Sequence, residues 1–140
     1  MASFATHFYF SPLGRTGRRL YWMFGVVPLL LAGIIIGFLL GSLARVSRLP
    51  LEVFWMLFVV IGLVGVWSWI CIGSRRLHDL NQSGWWMLVL TVLPIGIAFV
   101  APAPVAKLFS LVITIVLGAI PGTVGDNTFG ADPYAEAGNR

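Results

Sequence analysis

Charged residues divide this chain into four long apolar blocks, at residues 20–44, 53–74, 80–106 and 108–125. A helix needs about 20 apolar residues to cross about 30 Å of hydrocarbon, and the first two blocks pass easily. The third opens on the polar run Asn81-Gln82-Ser83-Gly84, is interrupted by Pro94 and closes at Ala101-Pro102-Ala103-Pro104. The fourth ends near Pro121-Gly122. This pattern predicts helices over about 20–44, 52–74, 84–101 and 105–121. The last two have about 17 residues each, the lower limit for a span, so they read as two short spans or a re-entrant pair.

The first block is too long for the 7–15 residue core of a cleaved signal peptide, so it reads as a permanent span. Residues 1–134 form one membrane domain, and residues 135–140 read as a frayed end. Gly33, Gly37 and Gly41 lie four apart on the first helix, where small residues let another backbone approach. With such short connections, packing against this chain's own second or fourth helix is the better expectation. A homo-oligomer is the alternative. Gly62 and Gly65 act similarly on the second helix. Pro28 and Pro94 mark kinks.

Composition supports the membrane reading. Of 140 residues, 59% are hydrophobic and 10% charged, with a mean hydropathy of +0.94. Soluble domains are about 45–50% apolar and about 25% charged. A soluble globule, a disordered chain and a disulfide scaffold are excluded. The net charge of +4 comes from basic residues set between apolar runs. There they serve topology and anionic lipid rather than nucleic acid. Arg15, Arg18, Arg19, Arg75, Arg76 and Arg140 fall on one side, against Arg45, Arg48 and Lys107 on the other. Both termini are therefore expected in the cytoplasm. The single cysteine, Cys71, reads as a small buried side chain.

The spans are chemically bland. Their hydroxyls, Ser68, Thr91, Ser110 and Thr114, can bond to the preceding turn of helix. No acidic, basic or histidine side chain sits mid-span, which argues against a proton-coupled transporter. The distinctive residues gather in three segments expected to converge as a polar cytoplasmic cap. The first carries Arg15, Arg18 and Arg19, then Tyr21 and Trp22, which suit a membrane interface. The second runs Arg75-Arg76-Leu77-His78-Asp79, with Ser83 as a candidate helix cap and Trp85 and Trp86 entering the interface. The third carries Asp126 and Asp132 among turn formers. The expectation is that Asp126 or Asp132 pairs with an arginine, folding the tail onto the second loop. Asp79 is expected to turn back towards Arg75, Arg76 or the third helix. The pair His78-Asp79 offers acid–base groups, but nothing else in the sequence completes a metal or nucleophile set. No metal or cofactor is called for.

The motifs GRxGRRxYW at 14–22, RRLHDxxxSGWW at 75–86 and GDNxFGxDP at 125–133 resemble those of the YhaH/YhaI-type bacterial inner-membrane proteins, the family of domain of unknown function 805. The resemblance runs from about Phe4 to Tyr134. It implies a small integral membrane protein of several spans and supplies no activity to carry over. Asn81-Gln82 stands where the family often has Gly and a polar residue, and Phe129 where Tyr is common.

The leading expectation is a non-enzymatic module of the inner membrane. Its Arg/Trp/Asp cap (Arg15, Arg18, Arg19, Arg75, Arg76, His78, Asp79, Trp85, Trp86, Asp126, Asp132) would bind anionic phospholipid or a partner protein. A channel or transporter subunit is the alternative. A lipid-modifying enzyme using His78 and Asp79 ranks below both.

Overall fold

The computed structural model describes residues 4–46 and 50–135. Arg48, Arg140 and residues 136–140 of the expected frayed end lie outside these. The described chain is helical, with a single isolated bridge between Asn127 and Gly130 and no longer strand pairing. A short helix α1 (Phe4–Phe10) precedes a continuous helical run. That run comprises α2 (Arg18–Leu20), a π segment (Tyr21–Val26) and α3 (Val27–Val46). Then come α4 (Leu51–Asp79), α5 (Trp86–Val100) and α6 (Ala103–Ala119).

Two stretches are long and apolar enough to cross a bilayer, Arg18–Leu43 and Glu52–Asp79. Their most apolar windows are only 11% and 22% buried within the chain. A soluble core helix would be mostly buried, so these faces need another apolar medium. At 1.5 Å per residue, α5 and α6 are about 22 Å and about 26 Å long, short of the hydrocarbon thickness.

The structure differs from the sequence expectation at helix boundaries and in two short elements. Helix α4 runs five residues past Ser74, to Asp79, because Arg75 and Arg76 find partners on neighbouring segments and do not need to leave the helix. Helix α5 begins at Trp86 rather than at Gly84. Helix α1 and the π segment carry no apolar block of spanning length, so neither stood out in the sequence. Pro28 has no N–H to offer the Phe24 carbonyl one turn earlier. The Tyr9 hydroxyl of α1 donates to that carbonyl. This bond ties α1 to the π segment.

The chain turns sharply after α4. Asn81 adopts φ 58°, the Gln82 N–H donates to Leu77 O at 2.8 Å and the Asn81 N–H to His78 O at 3.0 Å. These are the two bonds of a Schellman cap, with Asn at the left-handed position where Gly is usual. That explains how Asn81 substitutes for the glycine common in the resembling family.

Helix α4 is the central element, packing against α1, the π segment, α3, α5 and α6. The core is Phe8, Tyr21, Val26, Ile72, Leu77, Met87 and Leu117, all near the end of the molecule where α4 finishes. No described residue of α3 is buried, and the first buried residue of α4 is Ser68. The two long helices therefore leave the core as largely unpacked rods.

This corrects the packing expectation. A Cβ at Gly33, Gly37 or Gly41 would meet no described atom within 4 Å, and the same holds at Gly62 and Gly65. The stripes do not pack on this chain's own helices. The glycines that let its helices meet are elsewhere. A Cβ at Gly25 would lie 2.8 Å from Ile72, one at Gly73 would collide with Met87, and one at Gly118 with the Trp22 indole. Regular four-residue spacing advertised the unpacked set, whereas single glycines at crossing points carry no local pattern.

Candidate functional site

The polar segments converge at the end of α4, as expected, but around a different carboxylate. Asp79 is 1% exposed and sits between two arginines. Arg15 donates from Nε and Nη2 to Asp79 Oδ1 at 3.2 and 3.1 Å. Arg76, three residues before it on α4, donates from Nη1 to Asp79 Oδ2. Both guanidiniums also donate to backbone carbonyls. Arg15 Nη1 reaches Gly125 O at 2.7 Å and Gly130 O at 3.1 Å, and Nη2 reaches Thr123 O at 2.7 Å. Arg76 Nε reaches Leu117 O at 2.8 Å, Nη1 reaches Thr16 O at 3.3 Å, and Nη2 donates to Ile120 O. Five of those carbonyls lie at the end of α6 or in the tail, so two arginines bind the C-terminal segment by its backbone. The arginine fork suits this because its five N–H groups diverge in one plane.

The tail is also bound to α4 directly. The Thr123 N–H and hydroxyl both donate to Asp79 O, at 2.8 and 3.0 Å. Asn127 Nδ2 donates to His78 O at 2.9 Å, and the Thr128 hydroxyl to Asn81 Oδ1 at 2.8 Å. Gly122 passes so close to the Asp79 carboxylate that any side chain there would overlap it. At this position only glycine fits.

The tail carboxylates hold turns within the tail. Asp132 Oδ1 accepts from the Tyr134 N–H and Oδ2 from the Gly125 N–H, both at 2.9 Å. Asp126 Oδ1 accepts from the Asp132 N–H at 3.1 Å. Both cap turns, and Asp126 pairs with none of the five arginines. Turn formation claims short carboxylates locally before a distant arginine can. The tail folds onto the loop as expected, with Asp79 supplying the charge.

His78 is engaged on both sides. Its Nδ1 lies 3.1 Å from Gly14 O, and its ring stacks on Phe129 at 4.2 Å with an interplanar angle of 4°. Asp79 turns to Arg76, as expected, and additionally to Arg15. Arg75 serves α1, donating to His7 O at 3.1 Å with its guanidinium 5.3 Å from the Phe8 ring centroid. Tyr21 and Trp22 pack between helices. Tyr21 is fully buried with its hydroxyl on Thr114 O at 3.3 Å, and Trp22 Nε1 donates to Gly118 O at 3.3 Å. Trp85 and Trp86 are 77% and 56% exposed and take no part in the arginine cluster. Ser83 Oγ accepts weakly from the Trp85 N–H at 3.4 Å, within the turn that starts α5. Three of the span hydroxyls, Thr91, Ser110 and Thr114, each bond to the carbonyl four residues back, as expected.

Arg18 and Arg19 remain. Both are exposed, and neither forms an ion pair among the described residues. They border an open cleft of about 710 Å³ between the start of the first long helical run and the end of α6. Trp22, Met23, Ala119 and Tyr134 also line it. The sequence presented five equivalent arginines. Burial separates them into Arg15 and Arg76, enclosed at 8% and 0% exposure, Arg75, half-buried against α1, and Arg18 and Arg19, open to a ligand.

Outward-facing apolar helices with polar groups gathered at one end define an α-helical integral membrane protein. The chain belongs to the family described as protein of unknown function DUF805, which it matches over residues 9–131. It is 33% identical over 126 residues to inner membrane protein YhaH of Escherichia coli (strain K12), covering 88% of this chain and 87% of the relative. Inner membrane protein YhaI of the same strain is 28% identical over 120 residues, covering 86% and 83%. Uncharacterized protein YiiR of that strain is 31% identical over 134 residues, covering 88% and 86%. No solved structure matches the chain. The match spans the first two polar motifs and the third as far as Ala131, and the geometry gives most of their residues a structural role.

Proposed function

We propose that the protein is a non-enzymatic module of the bacterial inner membrane that holds anionic phospholipid at its cytoplasmic face through Arg18 and Arg19. The observation that carries this is the division among the arginines. Arg15 and Arg76 have donors bonded internally to Asp79 and to carbonyls, whereas Arg18 and Arg19 are exposed and form no ion pair among the described residues. An uncompensated cationic pair beside an apolar helix surface attracts the anionic head groups of the cytoplasmic leaflet, by about 1 kcal/mol per residue. In this reading the Arg15–Asp79–Arg76 knot is scaffold, and both termini and the cap face the cytoplasm.

The test is thermal stabilisation of the purified protein by phosphatidylglycerol against phosphatidylcholine. A selective rise for the wild type that vanishes in Arg18→Gln/Arg19→Gln supports the reading. Equal response of the two proteins refutes it.

A second reading, an oligomeric channel or transporter subunit, draws on the outward-facing Gly33, Gly37 and Gly41 stripe, which has room for another helix. Cross-linking in native membranes, lost in Gly37→Leu, would favour it. The lipid-modifying enzyme has less support, because the His78 ring is occupied by Phe129 and Gly14.

A further inference from the structure

Resting on that reading, we propose that the cleft beside Arg18 and Arg19 is a site for one anionic diacyl phospholipid, its phosphate at the arginines and its glycerol backbone on the apolar wall below. The volume of about 710 Å³ falls within the range of small-molecule sites, about 300–1,000 Å³. The lining is ordered along the helix. Arg18 and Arg19 stand at the top, and Trp22 and Met23 follow four residues later, one helical turn below each. Ala119 at the end of α6 faces them across the cleft. A cationic rim over an apolar wall fits an amphiphile. A free phosphate would use only the rim. Below Met23, at 61% exposure, the outer surface continues through Val27 at 46%, so an acyl chain leaving the cleft stays on apolar surface.

Two carboxylates also lie in the walls. Asp79 is paired with both Arg15 and Arg76, a group that keeps an excess positive charge. Asp132 accepts two backbone N–H groups and keeps its negative charge. With Arg18 and Arg19 added, the positive charges still outnumber the negative ones around the cleft, which selects an anionic head group over a zwitterionic one.

The experiment is native mass spectrometry of the full chain released from micelles holding equal phosphatidylglycerol and phosphatidylcholine. The wild type is expected to retain one phosphatidylglycerol. Arg18→Gln/Arg19→Gln is expected to lose at least tenfold of that retention. Ala119→Trp, which fills the cleft and leaves the arginines in place, is expected to lose as much. Val124→Trp on the tail wall, a position 72% exposed, provides the same test should Ala119→Trp fail to fold. Full retention by the folded tryptophan variant overturns the cleft and leaves the arginine reading standing. Full retention by the arginine variant overturns both. Displacement of the lipid by an equal concentration of glycerol 3-phosphate shows a head-group site and overturns the diacyl assignment.

Discussion

Replacing Asp79 by Asn removes one negative charge from between two buried guanidiniums with almost no change in shape. Asp79 is 1% exposed, Arg15 8% and Arg76 0%, so water cannot compensate. Breaking a buried pair by removing one partner costs about 3–5 kcal/mol, against about 0–1 kcal/mol for an exposed pair. Two features moderate the loss. Arg15 keeps the carbonyls of Thr123, Gly125 and Gly130, and Arg76 keeps those of Thr16, Leu117 and Ile120. The Asn side chain also retains one acceptor oxygen. One consideration acts the other way: two cations that shared a counter-ion are left facing each other. The expected loss is therefore near the low end, about 3 kcal/mol. Reversible unfolding in mixed dodecyl maltoside and SDS micelles, followed by tryptophan fluorescence, reads it. The tail should come free first, because both arginines hold it, and limited proteolysis near residues 122–134 should accelerate. A loss below about 1 kcal/mol with an unchanged digestion pattern would mean that the knot is solvated and the packed account is wrong.

Gly118→Ala puts a methyl group into the Trp22 indole and should destabilise by about 1–3 kcal/mol, with a shifted tryptophan emission. Gly37→Leu should leave the unfolding of the isolated chain within about 0.5 kcal/mol of wild type, because nothing described lies near that position. Tyr9→Phe removes the donor to Phe24 O and should cost about 0.5–1.5 kcal/mol, seen as faster exchange of amides in α1. Reporter fusions at the two ends should both report the cytoplasm. An external C-terminus would mean that one of α5 and α6 fails to span.

The apolar blocks made the four main helices legible, since charge-free length is a one-dimensional signal. They also located the polar residues that meet at one end. The partners within that end were less legible. Asp126 looked like a counter-ion by sign alone, but its place in a turn binds it to a nearby N–H group. Asp79 was foreseen turning towards Arg75, Arg76 or the start of the third helix, and it meets Arg76. Its bond to Arg15, 64 residues away, depends on the path of the N-terminal segment, which no local pattern encodes. The glycine stripes illustrate the same limit from the opposite side. Their spacing shows that a helix could approach, while Gly25, Gly73 and Gly118 are where helices do. The short α1, at seven residues, falls below the length at which an apolar pattern stands out.

The central claim is that one arginine cluster divides into an enclosed knot and an open lipid contact. Arginine-selective labelling with phenylglyoxal, mapped by peptide mass spectrometry in nanodiscs, tests it most directly. In phosphatidylcholine, Arg18 and Arg19 should label rapidly, whereas Arg15 and Arg76 stay unmodified. In phosphatidylglycerol, Arg18 and Arg19 should become protected while the buried pair is unchanged. Labelling of Arg15 and Arg76 at the rate of Arg18 and Arg19, or rates for Arg18 and Arg19 that ignore the lipid, would contradict the account.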